Sequence, residues 1–271
     1  MTKRNYVLLI LTVLLSVFIW ACSNVPITGR SQLSLVPNSQ ILPMSFKNYD
    51  DFMSKNKKST DKRGTARVKK VGKRVQHAVE RYFREQKLSH LLDGYKWEFN
   101  LVANKQVNAW CMPGGKVVIY SGIMPIAKDE DGLAVVMGHE IAHAIAKHGS
   151  ERMSQGLLVQ MGGIGLSLAL SQKPESTQKL WMAAYGATSQ IGLMLPYSRL
   201  HESEADRLGL IFMSMAGYDP HAAVNFWQRM AAKKGGKAGI EFLSTHPSDR
   251  TRIENIKKLI PEAMRYHHTK S

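Results

Sequence analysis

With 271 residues and 44% hydrophobic content, the chain is ordinary for a globular protein, long enough for one sizeable domain or two small ones. A formal charge of +16 calls for an anionic partner or surface, yet no aromatic-interleaved basic motif or recognised nucleic-acid module accompanies it. The composition therefore points away from nucleic acid and towards an anionic membrane surface, with a merely solvated helical face as the bland alternative.

In chain order, Lys3 and Arg4 precede an apolar stretch from Tyr6 to Trp20, 15 residues long. A membrane span needs about 20 residues, so this length suits an export signal, with an uncleaved anchor as the other reading. Ile19-Trp20-Ala21-Cys22 then resembles a bacterial lipobox, which makes 1–21 a lipoprotein signal peptide and Cys22 the lipidated mature N-terminus. With Cys22 so used, Cys111 has no intramolecular partner and reads as a half-buried strand residue. Residues 22–60, with Pro26, Gly29, Pro37 and Asn38, read as an extended tether, and 61–271 as the catalytic domain.

The basic residues are densest from Lys55 to Arg84. Within that segment Val68, Val71, Val75, Ala78, Val79, Tyr82 and Phe83 fall on one helical face. Tyr95, Trp97, Phe99 and Leu101 alternate with polar residues, predicting a strand over 95–102. A second strand region runs from Asn108 to Tyr120, broken at Pro113-Gly114-Gly115. From Glu130 to His148 the pattern is helical and apolar nearly all round, which marks a buried helix. Gly162–Ser171, with glycines among leucines, is a helix or a flexible flap. A further helix spans about Ser198 to Ala216 and stops at Gly217, another runs from Asp219-Pro220 to about Ala232, and a last one begins at Ser248. No internal repeat and no second core is visible, so a single α+β domain, mostly helical with a small sheet, is expected.

The chemistry concentrates in His139-Glu140-Ile141-Ala142-His143. Histidines four apart on a helix lie on one face and can bind one Zn²⁺, while Glu140 stands beside the metal as a general base. Two imidazoles and a carboxylate in an apolar run are costly without a partner. A histidine six residues after His143 would complete one known ligand spacing, but Gly149 stands there, and His148 reads as a solvated helix end. The better third ligand is Glu202 on the later helix. Asp206, four residues on, can hold a ligating imidazole by its other nitrogen. Glu204 reads as part of a solvated acidic face.

Five stretches carry a family resemblance: Asn108-Ala109-Trp110 with Pro113-Gly114-Gly115; His139 to His143; Glu202 through Gly209; Ala216-Gly217-Tyr218-Asp219-Pro220; and His246-Pro247 with Arg252. In this order they resemble the zinc metallopeptidases that include the CaaX prenyl protease, HtpX and the mitochondrial Oma protease, and within them the periplasmic BepA and LoiP type. The resemblance implies a gluzincin-type domain whose edge strand lines the cleft. It implies zinc on His139, His143 and Glu202, with Glu140 as base. Asn108, Ala109, Gly114 and Gly115 would line the substrate cleft and pair an extended polypeptide by strand addition. His246 and Arg252 would reach the open side of the metal as oxyanion donors, or His246 would instead serve as a displaceable fourth ligand. The activity implied is endopeptidase action on envelope proteins. The rival reading is an envelope chaperone or binding lipoprotein on the same fold, which would be marked by a lost ligand or base. None is lost here. Ser23 after Cys22 favours the outer membrane over the inner.

Overall fold

The computed structural model describes residues 22–233, 241–246 and 250–267. The predicted signal peptide, the lipobox residues before Cys22 and the start of the last helix at Ser248 lie outside them. The contacts divide the chain into two units: residues up to Gln40 with Lys147–Ser198, and Ile41–Ala146 with Arg199–Ser271.

The smaller unit holds β1 (Cys22–Asn24) and β2 (Ser31–Leu33), paired antiparallel. Pro26 and Gly29 form the turn between them, where Gly29 N–H donates to the Val25 carbonyl (2.9 Å) and Val25 N–H to that of Arg30 (2.8 Å). The first part of the expected tether is thus a hairpin. The same unit contains a helical pair described further below.

The rest of the expected tether folds as α1 (Asn38–Lys55), which buries Ile41, Ser45 and Tyr49. That stripe was obscured in the sequence because its polar members are satisfied inside. The Ser45 hydroxyl donates to the Pro113 carbonyl (2.7 Å) and that of Tyr49 to Glu98 (3.0 Å). In the larger unit α2 (Lys62–Glu85) follows, with Asp61 accepting from Gly64 N–H at its N-terminus. Val68, Val71, Val75, Ala78, Val79 and Phe83 are buried on the predicted face.

A three-stranded sheet comes next: β3 (Glu98–Val102), β4 (Ala109–Met112) and β5 (Lys116–Tyr120), in the order β3-β5-β4. β5 is parallel to β3 and antiparallel to β4. It is buried on both faces, as its unbroken apolar run requires. Val118 and Tyr120 meet Tyr49 of α1, while Gly64 and Gly72 of α2 lie against Leu101 and Phe99 on the opposite face. β4 is the edge strand and packs against the helix that carries the histidines.

After α3 (Met124–Ala127), that helix, α4, spans Glu130–Ile145 and is capped by Asp129, which accepts from Gly132 N–H (2.9 Å). Nearly every side is buried, as predicted. It ends three residues earlier than expected, because Lys147 adopts a left-handed conformation (φ 57°) and redirects the chain. α5 (His148–Leu170) and α6 (Glu175–Ser189) form the pair in the smaller unit, so the Gly162–Ser171 segment is helical up to Leu170. α7 (Leu195–Met215) stops at Gly217 with φ 75°, where Tyr218 N–H returns to the Met213 carbonyl (3.0 Å). α8 (Ala222–Ala232), α9 (Glu241–Thr245) and α10 (Arg250–Met264) complete the larger unit.

Candidate metal centre

The His-Glu-x-x-His stretch lies in the second half of α4, and the Glu202–Asp206 pair on α7. Two glycines bring these helices together. Gly138, beside His139, faces Gly209 so closely that a methyl group on Gly138 would stand 2.7 Å from the Gly209 carbonyl oxygen. Gly209 follows Asp206 and Glu202 at three and seven residues, on one helical face. The near-backbone contact therefore sets the approach of the carboxylates to the imidazoles.

Four side chains converge. His139 Nε2 is 3.1 Å from His143 Nε2 and 3.4 Å from Glu202 Oε2, and His143 Nε2 is 3.3 Å from Glu202 Oε1. His246 Nδ1 stands 3.2 Å from His139 Nε2 and 2.9 Å from Glu202 Oε2. All four donors lie within 4.8 Å of one another, a set that holds a metal ion. His246 is presented at the end of α9, where its N–H donates to the Phe242 carbonyl (2.8 Å) and its ring lies against that of Phe242.

The electrostatics demand a cation. Burial alone would lower the pKa of His139, but the Asp206 and Glu202 carboxylates outweigh it and push it up to about 9. Burial would raise Glu202, but the surrounding imidazoles hold it far below the usual carboxylate range. Three carboxyl groups (Glu140, Glu202, Asp206) face a single guanidinium, that of Arg252, in a buried place. The protonation drawn onto His139 expresses the same demand that a divalent ion would meet.

Glu140 directly follows His139 on α4 and is almost fully buried, and burial pushes its carboxyl up from the usual range. Its Oε1 has no hydrogen-bond partner among the described residues and is 3.5 Å from His246 Nε2. A buried, unsatisfied oxygen beside a ring of metal donors is placed to take a proton.

Asp206 Oδ1 is 3.0 Å from His139 Nδ1, the contact predicted from the spacing on α7. Arg252, expected at the open side of the metal, lies elsewhere. It is buried, its Nε and Nη2 donate to the two oxygens of Asp206 (2.8 and 2.7 Å), and its Nη1 is 3.1 Å from Glu202. Its guanidinium lies 3.6 Å over the Trp227 ring. A guanidinium so engaged backs the ligands.

The proposed cleft residues divide. Asn108 is half-buried at the start of β4, its side-chain oxygen accepting from Ala109 N–H (2.9 Å), and Ala109 is buried against the sheet. Gly114 and Gly115 do not line a cleft. Both are buried with positive φ in the β4–β5 turn, and methyl groups there would meet Phe46 at 2.4 Å and Trp97 at 2.5 Å. Turn geometry and close packing account for them. His148, at the start of α5, and Glu204, in the middle of α7, were expected in solvent and are buried. Cys111 is half-buried as expected, and burial together with the charge of Glu140 pushes its thiol pKa well up. Trp227 and Phe242 were not singled out from the sequence, because an aromatic residue on an amphipathic helix carries no mark of the site it walls.

Comparison with known proteins places the sequence among metallopeptidases. The mitochondrial metalloendopeptidase OMA1 of Schizosaccharomyces pombe is 41% identical over 170 residues, covering 62% of this chain and 48% of that protein. The Bos taurus OMA1 is 32% identical over 253 residues, 90% of this chain and 47% of that one. The beta-barrel assembly-enhancing protease of Escherichia coli is 28% identical over 166 residues, 59% of this chain and 34% of that one. The chain thus spans about half or less of the length of these relatives. The profile of peptidase family M48 matches residues 69–260, which takes in every donor and Glu140, and the chain belongs to that family.

Proposed function

We propose that the chain is a zinc-dependent endopeptidase of the bacterial cell envelope, acting on polypeptides and anchored through lipid on Cys22. The observation that carries it is the convergence of His139, His143, Glu202 and His246 beside the unsatisfied Glu140 oxygen. The donor spacing supports zinc as the ion. Tetrahedral ligands bonded at about 2.0–2.1 Å stand about 3.3 Å apart. Five of the separations here run from 2.9 to 3.4 Å, and all four donors lie within 4.8 Å of one another. When bound, the ion supplies Lewis-acid polarisation of a carbonyl and lowers the pKa of a nearby water.

The chain's own residues do the rest. Asp206 orients His139, Glu202 and the two α4 imidazoles would hold the ion, and Glu140 would accept the proton of the attacking water. It then returns that proton to the departing amine. β4, an edge strand beside α4, offers backbone groups on which an extended polypeptide can be laid. His246 brings Nδ1 to 3.2 Å from His139 Nε2 and 2.9 Å from Glu202 Oε2, among the other donors; we read it as a displaceable fourth ligand in preference to an oxyanion donor. Arg252 is a positioning residue behind the site. The envelope location rests on the lipobox and on similarity to the bacterial protease, and Ser23 favours the outer membrane.

The test is metal analysis and casein cleavage of wild type against Glu140→Gln. The variant should keep its metal and fold and lose cleavage by about 10²–10⁴-fold, the range of a lost general base. Robust cleavage by it would overturn the mechanism. Palmitate labelling should disappear in Cys22→Ser, and labelling that persists would refute the anchor.

A further inference from the structure

We propose that the α5–α6 hairpin is a membrane element, lying in the interfacial plane of a lipid bilayer with its apolar stripe in the acyl region. α5 contains an 18-residue stretch of mean hydropathy 1.3 of which only 11% is buried. A core helix of that composition would be covered. Here Leu157, Met161, Ile164 and Leu168, spaced along one helical face, are 39%, 65%, 56% and 70% exposed. α6 adds Leu180 and Trp181, also exposed. A contiguous apolar surface of this kind marks an interaction site.

The composition identifies the occupant as lipid. From Gly156 to Leu170 no residue is charged, and none from Leu180 to Ser198. The arms meet as helices do where water is scarce, through small residues. Tyr185 lies across Gly162, where a methyl group would stand 2.2 Å from its hydroxyl, and that hydroxyl donates to the Val159 carbonyl (2.8 Å). Between the arms an apolar groove of about 410 Å³ is lined by Leu158, Val159, Tyr185, Thr188, Ser189 and Gly192.

The charges set the depth. Arg152 stands at the base of the hairpin, and Lys173, Glu175 and Lys179 stand at its tip. The uncharged part of α5, Met153–Leu170, is about 27 Å long at 1.5 Å per residue, close to the ~30 Å hydrocarbon core, so length alone does not exclude a span. A span would have to carry the charges of Lys173, Glu175 and Lys179 through the bilayer, which favours the shallow placement. The hairpin then lies with its lysines reaching to anionic headgroups and Trp181 at the interface. The hairpin is also fixed to the strands that follow Cys22. Arg30 forms a two-point pair with the buried Glu151 (3.0 and 2.8 Å), and Leu35 N–H donates to Ser154 Oγ (3.0 Å). The anchor position and the hairpin thus belong to one unit, although the inference stands without the lipid on Cys22.

The experiment uses the full chain with Cys111→Ser and one introduced cysteine, Leu168→Cys, carrying an environment-sensitive fluorophore. The same protein without Leu168→Cys gives the background. In vesicles of phosphatidylcholine and phosphatidylglycerol, the label should be shielded from aqueous iodide and quenched by bromine on the acyl chains. A label at Lys179→Cys should stay open to iodide. Adding Ile164→Glu should raise the lipid needed for half quenching about tenfold or more, because it places a charge in the acyl region. A Leu168 label that stays open to iodide with vesicles present would overturn the proposal. So would a label already shielded without lipid in a chain that scatters light as a dimer, which would assign the face to a second copy. Palmitate on Cys22 and casein cleavage are read separately, so failure of the hairpin and failure of the protease or anchor readings remain distinguishable.

Discussion

Gly209→Ala tests how the fold builds the metal centre. A methyl group at Gly209 would stand 2.8 Å from the His139 backbone nitrogen and 2.9 Å from the Gly138 carbonyl carbon, where ordinary contact begins at about 3.4 Å. Both obstacles are backbone, so no side chain can swing aside, and α7 must retreat from α4 by about half an ångström. Glu202 and Asp206 travel with α7. Their distances to the imidazoles, 3.3 Å from Glu202 to His143 and 3.0 Å from Asp206 to His139, then open by more than the ~0.2 Å that a metal site tolerates. Overpacking of this kind costs about 1–3 kcal/mol. At about 2–4 °C per kcal/mol for a chain of this size, the middle of that range is a fall of ~6 °C in Tm. Thermal unfolding and metal content after dialysis are the assays, with Gly149→Ala as the control. Gly149 is exposed on α5 with nothing within 4 Å of an added methyl, so its substitution should be neutral or stabilising by up to about 1 kcal/mol. A Gly209→Ala protein with wild-type Tm and full metal content would show that the helices are not held at this separation, and the account of how the ligands are aligned would fail.

Glu202→Ala should strip most of the metal, because it removes a ligand and leaves the imidazoles without their carboxylate. Glu204→Ala, two residues on and buried, should lower Tm while leaving metal content unchanged; an exchange of these results would mean that the register of α7 is wrong. His246→Ala should keep the metal on three ligands and raise cleavage of a short peptide, by about tenfold if the closed arrangement holds nine molecules in ten. A fall of about 10²–10³-fold would restore the oxyanion-donor role.

The parts legible in the sequence were those governed by local periodicity. The α2 stripe, the apolar β5 run, the buried α4 and the four-residue spacings of His139 with His143 and Glu202 with Asp206 each follow from one element's own geometry. α1 was missed because its buried face includes Ser45 and Tyr49, whose hydroxyls bond to Pro113 and Glu98, far away in sequence. The burial of His148 and Glu204 depends on what packs against their helices, which no helical pattern encodes. Gly114 and Gly115 were assigned to substrate because they accompany a cleft motif. Their positive φ and the rings of Phe46 and Trp97 show that the turn itself needs them. Gly138 and Gly209 carry no visible pattern in either helix, since a close contact is a property of the pair.

The placement of Arg252 shows why a site residue's side of the metal is harder to read than its presence. An arginine near a metal centre can face the substrate or the ligands, and the sequence is the same in both cases. Here Trp227 decides it. The flat face of the guanidinium is taken by the indole, and its edge donors then point at Asp206 and Glu202. The consequence reaches the metal ligand itself. Burial works against the Asp206 carboxylate, but Arg252 and His139 hold its pKa below the usual range, so it stays ionised and can only accept. His139 Nδ1, 3.0 Å away, is then the nitrogen that keeps its hydrogen, so the proton an ion displaces is the one on Nε2, the nitrogen that faces His143, Glu202 and His246. Trp227 on α8 thus fixes the orientation of Arg252 on α10, which fixes the charge of Asp206 on α7 and, through it, the tautomer of His139 on α4. Four helices from distant parts of the chain determine which atom of one imidazole can bind the ion. That chain of contacts is why the His-Glu-x-x-His motif alone does not make a metal site, and why the rest of the larger unit does.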